Sequence, residues 1–279
     1  MKNKPCNHFT ILAIFAAFAI IGASCSQDVV TVDLNHANPH IVIEGAVTEG
    51  PGPHTVRISK TADFFTPADY PSVSGAMVTI GDDTGNVETL VERTPGIYTT
   101  ETVQGVTGRT YTLSVETEGM GYRASSTMNV TGHIDSLAFE VDDEDAEEFI
   151  VHCYFTDTVN VKEYYRFKLN ITGEYYDEYS MYQDRLTDGN QLDFELWIHD
   201  EIIENGDSII VEMQSIDRPV YQYFSTLADA ATESSSGLSM FTGTPANPTS
   251  NISNDALGYF SAYTVVFDTL MVAKSGTIK

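Results

Sequence analysis

The sequence predicts an all-β protein: an N-terminal immunoglobulin- or transthyretin-like β-sandwich, followed by a second antiparallel β-domain holding one short helix. Three observations predict it. Apolar and polar residues alternate at period two through most of the chain, helical periodicity is scarce, and turns bearing Gly or Pro interrupt the alternation at short intervals.

The elements follow in order. Residues 41–47 form a first strand and 54–60 a second, where Val56 and Ile58 alternate with Thr55, Arg57 and Ser59. Strands at 76–80 and 87–91 flank the turn from Gly81 to Asn86, and a short strand at 97–99 follows Pro95-Gly96. Strands at 111–115 and 122–128 are joined by Glu118-Gly119-Met120-Gly121. A sandwich domain over 39–131 accounts for these. Thr131-Gly132-His133 reads as a junction, and 142–148 as an acidic loop, before the second domain at 132–279. There 149–155 is expected to pair with 164–171 across the link 157–162. Strands at 194–198 and 209–213 flank the turn Glu204-Asn205-Gly206-Asp207. One helix is expected near 218–232, capped by Asp217, with Pro219 in its first turn and Val220, Phe224 and Leu227 on one face. A Ser/Gly/Pro/Asn-rich loop and a closing strand at 259–267 follow.

The first residues carry an export signal: basic Lys2 and Lys4, an apolar run from Ile11 to Ile21, and small residues before Cys25. The run is shorter than the roughly 20 residues of a permanent span. Ile21-Gly22-Ala23-Ser24-Cys25 resembles the bacterial lipobox, although Gly22 stands where an aliphatic residue is usual; an ordinary secretory signal is the alternative. On the lipobox reading, 1–24 is the signal peptide, Cys25 the lipidation site and 25–38 a polar tether. Of the three cysteines only Cys153 then remains free in the mature chain, in an alternating apolar run where a small buried hydrophobe is expected.

Lys2 and Lys4 account for two of the 14 Lys+Arg, which leaves 12 against 40 Asp+Glu beyond the signal. So acidic a chain argues against a nucleic-acid partner and against lying flat on anionic lipid. It is compatible with a basic partner or a divalent cation. No His-Glu-x-x-His, Gly-x-Ser-x-Gly or phosphate-binding glycine loop occurs, so no enzyme, cofactor or metal centre is expected. Calcium at the 142–148 run is the one alternative, weighed against a solvated loop of like charges. A pair of carboxylates for hydrolysis is a further alternative for which nothing selects the pair.

Two groups of residues are candidate sites. Tyr164, Tyr175, Tyr176, Tyr179 and Tyr182 form the one candidate binding surface, with outward rings able to stack on sugar or grip peptide; cross-strand packing is the competing use. Asp-Ser/Thr-aliphatic triplets place Ser136, Thr158, Ser208 and Thr269 in a pattern that resembles the O-glycosylation acceptor of exported Bacteroidota proteins. The same triplets also suit the start of a strand after a turn.

Four segments in order carry a family resemblance: Ile41-Val42-Ile43-Glu44-Gly45-Ala46-Val47-Thr48, Gly52-Pro53-His54-Thr55-Val56-Arg57-Ile58-Ser59, Val73-Ser74-Gly75-Ala76-Met77-Val78-Thr79-Ile80, and the run from Asn247 through Asn251-Ile252 and Leu257-Gly258-Tyr259-Phe260 to Tyr263. Behind a lipobox these resemble a family of Bacteroidota outer-membrane lipoproteins catalogued as a domain of unknown function, number four-two-four-nine. The resemblance implies a lipid anchor in the outer membrane, no catalytic site, and a TonB-dependent receptor as partner, the chain acting as an accessory or substrate-capturing protein. A surface adhesin or fimbrial subunit is the rival reading. Asp255 departs from the family, where Gly is common.

Overall fold

The structure is a computed structural model that describes residues 39–62, 70–141, 148–184, 189–199, 201–235 and 247–273. Cys25, the signal and the tether lie outside the described residues. Seventeen strands and one helix are present among the described residues: β1 (Ile41–Thr48), β2 (Gly50–Pro51), β3 (Thr55–Lys60), β4 (Met77–Asp82), β5 (Val87–Thr89), β6 (Val91–Thr94), β7 (Ile97–Thr99), β8 (Gln104–Gly105), β9 (Thr110–Thr117), β10 (Met120–Thr127), β11 (Ile134–Val141), β12 (Phe149–Thr156), β13 (Tyr164–Ile171), β14 (Glu174–Gln183), β15 (Gln191–Ile198), β16 (Ser208–Ser215), α1 (Arg218–Ser235) and β17 (Leu257–Met271). The fold is all-β with a single described helix, as the alternation predicts.

One eight-stranded sheet, in the order β14-β13-β16-β17-β1-β3-β7-β6, runs through both halves of the chain. A four-stranded sheet, β10-β9-β4-β5, covers its β17-to-β6 part, and a three-stranded sheet, β11-β12-β15, covers its β14-to-β17 part. The result is two sandwiches with separate cores. The first core is mainly aliphatic, with Ile43, Val47, Val56, Ile58, Val78, Ile80, Leu113 and Val115 fully buried. Two of its three phenols are satisfied internally: the Tyr98 hydroxyl donates to the Val73 carbonyl at 3.0 Å, and the Tyr111 hydroxyl to the Gln104 carbonyl at 2.9 Å. The second core sets a cluster of interlocking rings among aliphatic residues such as Val151, Leu196, Ile198, Ile209 and Val211. Phe155 lies edge-on to Tyr165 at 5.5 Å and to Tyr182 at 5.1 Å, and Phe167 stacks on Phe194 at 4.7 Å.

The chain changes sheet at places the alternation does not mark. The strand expected at 87–91 is two strands: β5 belongs to the four-stranded sheet and β6 to the eight-stranded one, divided at the buried Leu90. The region 131–148, expected to hold only a junction and an acidic loop, contains β11. The pairing expected between 149–155 and 164–171 does not form. Instead β12 pairs with β11 and β15, and β13 with β14 and β16. Both segments carry an aromatic face, and facing each other across the core buries both sets of rings, whereas lateral pairing would leave one set needing another cover.

β17 joins the sandwiches. Its residues 257–263 pair in parallel with β1, from Val42↔Leu257 to Thr48↔Tyr263, and its residues 264–271 pair antiparallel with β16. Gly258, with φ +91°, sits so close to β1 that a Cβ there would lie 2.1 Å from the Ile43 carbonyl oxygen. Just before the strand, the Asn251 side chain accepts from the Phe260 N–H at 3.0 Å and donates to the Phe260 carbonyl at 2.7 Å, doing the work of a neighbouring strand. The first and last of the segments that carry the family resemblance are therefore partners in one ladder.

Helix α1 covers the outer face of β13, β14 and β17. Asp217 caps it as expected, its Oδ1 accepting from the Val220 N–H at 3.1 Å, while Oδ2 accepts from the Thr127 N–H of β10 at 3.0 Å. Burial raises the Asp217 carboxyl above the usual carboxylate range, against the pull of those two backbone donors.

Candidate functional site

The five candidate tyrosines are placed on both faces of β13 and β14. Tyr182 and Tyr176 point into the second core, and the Tyr176 hydroxyl bridges the backbone of His199, accepting from its N–H at 2.8 Å. Tyr164 and Tyr179 lie under α1, with rings 5.2 Å from Tyr221 and 6.4 Å from Phe224. Arg166 sits among them, its guanidinium carbon 3.9 Å from the Phe224 ring centroid. Tyr175 alone is open to solvent, with the Lys168 ammonium 3.8 Å from its ring centroid and its hydroxyl donating to Glu212 at 3.2 Å. A three-for-one bulge in β14, residues 177–179 opposite Lys168, contains Tyr179 and separates Tyr175 and Tyr176 from Tyr182. These rings do not assemble into one platform.

Ser136, Thr158 and Thr269 are exposed; Ser208 is half-buried within β16. Cys153 is fully buried and burial pushes its thiol up to about 12, the environment of a core hydrophobe. Most of the acidic run, 142–147, lies outside the described residues, and Glu148 pairs with His199 at 3.3 Å. Among the described residues no group of three or more His, Cys, Asp or Glu side chains is arranged to hold a metal ion.

An ordered polar and aromatic surface does exist on the outer face of the three-stranded sheet. Its outward residues fall into three full cross-strand rows, Ser136–Tyr154–Asp193, Ala138–His152–Glu195 and Glu140–Ile150–Trp197, and a fourth, Thr156–Gln191, whose side chains both donate to Asp135 at the β11 bulge. Alternation puts them there, because β12 sends Val151, Cys153 and Phe155 inward and β15 sends Leu196 and Ile198 inward. The His152 and Tyr154 rings stack at 6.1 Å, as do Trp197 and His199, each pair within 12° of parallel. Carboxylates hold the rings. The Trp197 Nε1–H donates to Glu195 at 3.2 Å. His152 Nδ1 lies 3.0 Å from Asp193, while its Nε2 lies 3.3 Å from Glu140, outside hydrogen-bond geometry. Partial burial, then Asp193, raises the Tyr154 phenol above its ordinary value. Trp197 is the chain's one tryptophan, and its outward position in β15 was readable from the alternation of Leu192, Phe194, Leu196 and Ile198.

The first sandwich has a cleft of about 430 Å³ lined by Asp82, Glu88, Gln104, Arg109 and Tyr111. Its charges serve the fold: Asp82 pairs with Arg109 at 2.8 Å and caps the Thr84–Asn86 turn, and Glu88 accepts from the Thr102 and Val103 N–H groups. At the end of the second sandwich, Asp157 is almost fully buried and accepts from the Gly189 N–H at 3.2 Å, with Oδ1 unpartnered. Burial, then the Glu163 carboxyl and the Asp184 charge, push Asp157 up to about 6.

The family described as "Domain of unknown function (DUF4249)" matches residues 27–267. No curated protein matches. Among solved structures, the chain is similar at 11% identity to a two-fibronectin-type-III-domain segment of chicken tenascin, over 65% of this chain and 93% of that one, with a TM-score of 0.21. It is similar at 15% identity to the adhesin InvE of Yersinia pseudotuberculosis, over 63% of this chain and 55% of that one, with a TM-score of 0.22. A pullulanase complexed with maltotriose, from Anoxybacillus sp. LM18-11, is 13% identical over 65% of this chain and 25% of that one, with a TM-score of 0.20. Scores this low carry no argument about function.

Proposed function

We propose, for a chain that belongs to the DUF4249 family, a lipid-anchored outer-membrane protein that works by contact: an accessory or cargo-capturing partner of a TonB-dependent transporter, tethered through Cys25 and with no chemistry of its own. The observation that supports it most directly is the outer face of β11, β12 and β15, where stacked rings and carboxylates form an open surface. Such a surface suits recognition, since rigid aromatic groups lose little freedom on contact. The buried Cys153 thiol and the carboxylates engaged within the first sandwich's cleft also favour binding over catalysis.

The test is recovery of partners on the full-length protein from detergent-solubilised outer membranes. A TonB-dependent transporter should co-purify in stoichiometric amount, and Cys25→Ala should move the protein out of the membrane fraction. Recovery of no transporter overturns the partnership; membrane retention of the Cys25 variant without accumulation of precursor overturns the anchor. Self-assembly into fibres by strand exchange would favour the fimbrial reading instead.

A further inference from the structure

We infer that the outer face of the three-stranded sheet docks a basic protein segment, one that lies extended along β15 and sets Arg or Lys side chains against Asp193, Glu195 and the Trp197 ring. This deepens the partner-capturing reading and rests on it only for who the partner is.

The argument begins with charge. No Lys or Arg occurs between Arg123 and Lys162, nor between Arg185 and Arg218. All of β11, β12 and β15 falls within those gaps. The face therefore carries Asp135, Glu140, Asp193 and Glu195 with no permanent cation on its own strands, and Glu148 stands beside it. The first sandwich is built differently: Lys60 meets Glu118, Arg93 meets Glu101 at 2.6 Å, and Arg109 meets Asp82 at 2.8 Å. Among the described residues the basic side chains that meet these carboxylates are histidines, and the other donors, Thr156 and Gln191 to Asp135 and Trp197 to Glu195, are neutral. Unbalanced charge of one sign on a defined face attracts and orients a partner of the other sign.

Geometry then narrows the partner. Asp193, Glu195 and Trp197 follow one another at every second residue on the outward side of β15, which is about 7 Å per step. Alternate side chains of an extended segment share that spacing. Among the described residues β15 is also the terminal strand of its sheet, an edge along which an extended segment can align. The indole is pinned by Glu195 and backed by His199. A flat ring bordered by carboxylates is a receptor for guanidinium or ammonium, by cation–π contact and ion pairing together. A neutral glycan would use the ring but leave the carboxylates without countercharge, so the basic segment is favoured.

Because Trp197 is the single tryptophan, its fluorescence reports this face alone. Titration of the purified mature protein with an oligo-arginine peptide of about five residues should change that emission saturably, and the affinity should fall as salt is raised. Asp193→Asn with Glu195→Gln keeps the hydrogen-bond acceptors for His152 and Trp197 while removing two charges; it should weaken binding about tenfold or more. Glu116→Gln with Glu174→Gln removes the same charge from exposed positions elsewhere and should leave the affinity within about twofold. Circular dichroism establishes that both double variants fold. An absent response overturns the proposal, as does equal weakening by the remote pair, which would mean diffuse attraction. A saturable response to maltopentaose but not to the peptide would reassign the face to glycans. If the peptide binds and no transporter is recovered, the partnership fails and the face stands. If the Asp193/Glu195 variant still recovers the transporter at full yield, the face is not the docking site and the partnership stands.

Discussion

The two sandwiches share a sheet but are made of different material. The first is filled mainly with Ile, Val and Leu, and three of its acids, Asp82, Glu101 and Glu118, meet bases of its own. The second sets a cluster of interlocked rings, Phe155, Tyr165, Phe167, Tyr182 and Phe194, among its own Ile, Val and Leu, and its outer face is left acidic and aromatic. The contrast separates two jobs. On the proposed reading, the aliphatic sandwich with its local ion pairs is the scaffold, and the unbalanced charged face over the ring-bearing core is the surface that a basic partner would complete.

The cores also respond to acid in opposite senses. Burial lowers the His54 pKa below its usual value, so His54 contributes stability that is full above 6.5 and lost as pH falls below it. Asp157 is raised from 3.8 to about 6, so its contribution is full below 3.8 and lost as pH rises through about 6. Acid thus weakens the first sandwich at His54 and relieves the second at Asp157.

The largest test of the comparison is Gly258→Ala. Forcing a methyl group against the Ile43 carbonyl separates β17 from β1 and should cost about 4 kcal/mol or more. Trp197 lies only in the second sandwich, so its fluorescence melt reveals whether that cost spreads. We expect both far-ultraviolet dichroism and Trp197 emission to shift together, because β17 belongs to both cores; an unmoved Trp197 transition would make the sandwiches independent. Phe155→Ala attacks the ring core from the other side and should cost about 3–5 kcal/mol in denaturant melts. Asp157→Asn sharpens the acid contrast: it should raise the melting temperature by a few degrees at pH 7.5, with the gain closing by about pH 4. The smallest effect is Asp255→Gly. Asp255 holds φ +57°, and glycine there should stabilise by about 1 kcal/mol, read as a small upward shift in midpoint.

Most strands were legible because one face of each is buried, and burial writes itself as alternation. β1 shows this plainly, with Ile41, Ile43 and Val47 buried between half-buried neighbours. β11 was not legible: Leu137, Ala138 and Phe139 are all half-buried, so its apolar residues run together and the adjoining acids read as loop. Strand partners were not legible either. Alternation says which face is inward, not which strand lies alongside, so 149–155 and 164–171 looked like a hairpin and are opposite walls of a core. The tyrosine cluster misdirected attention for a related reason. Tyr175 and Tyr176 have opposite parity, and the bulge that follows hides from sequence which parity points outward. Trp197 carried a clear signal, one outward ring in an unbroken alternating strand, with acids at 193 and 195 on the same side.

The pairing of Val42 with Leu257 spans more than two hundred residues. A ribosome releases β1 long before β17 exists, so the first sandwich has its own four-stranded cover but no partner for one edge of β1 until β17 is made. Long-range parallel pairing of this kind closes late and slowly. The half of the molecule that looks most self-sufficient is thus the half whose completion waits on β17, so its sheet stays open at β1 while the two hundred and more residues between them are made.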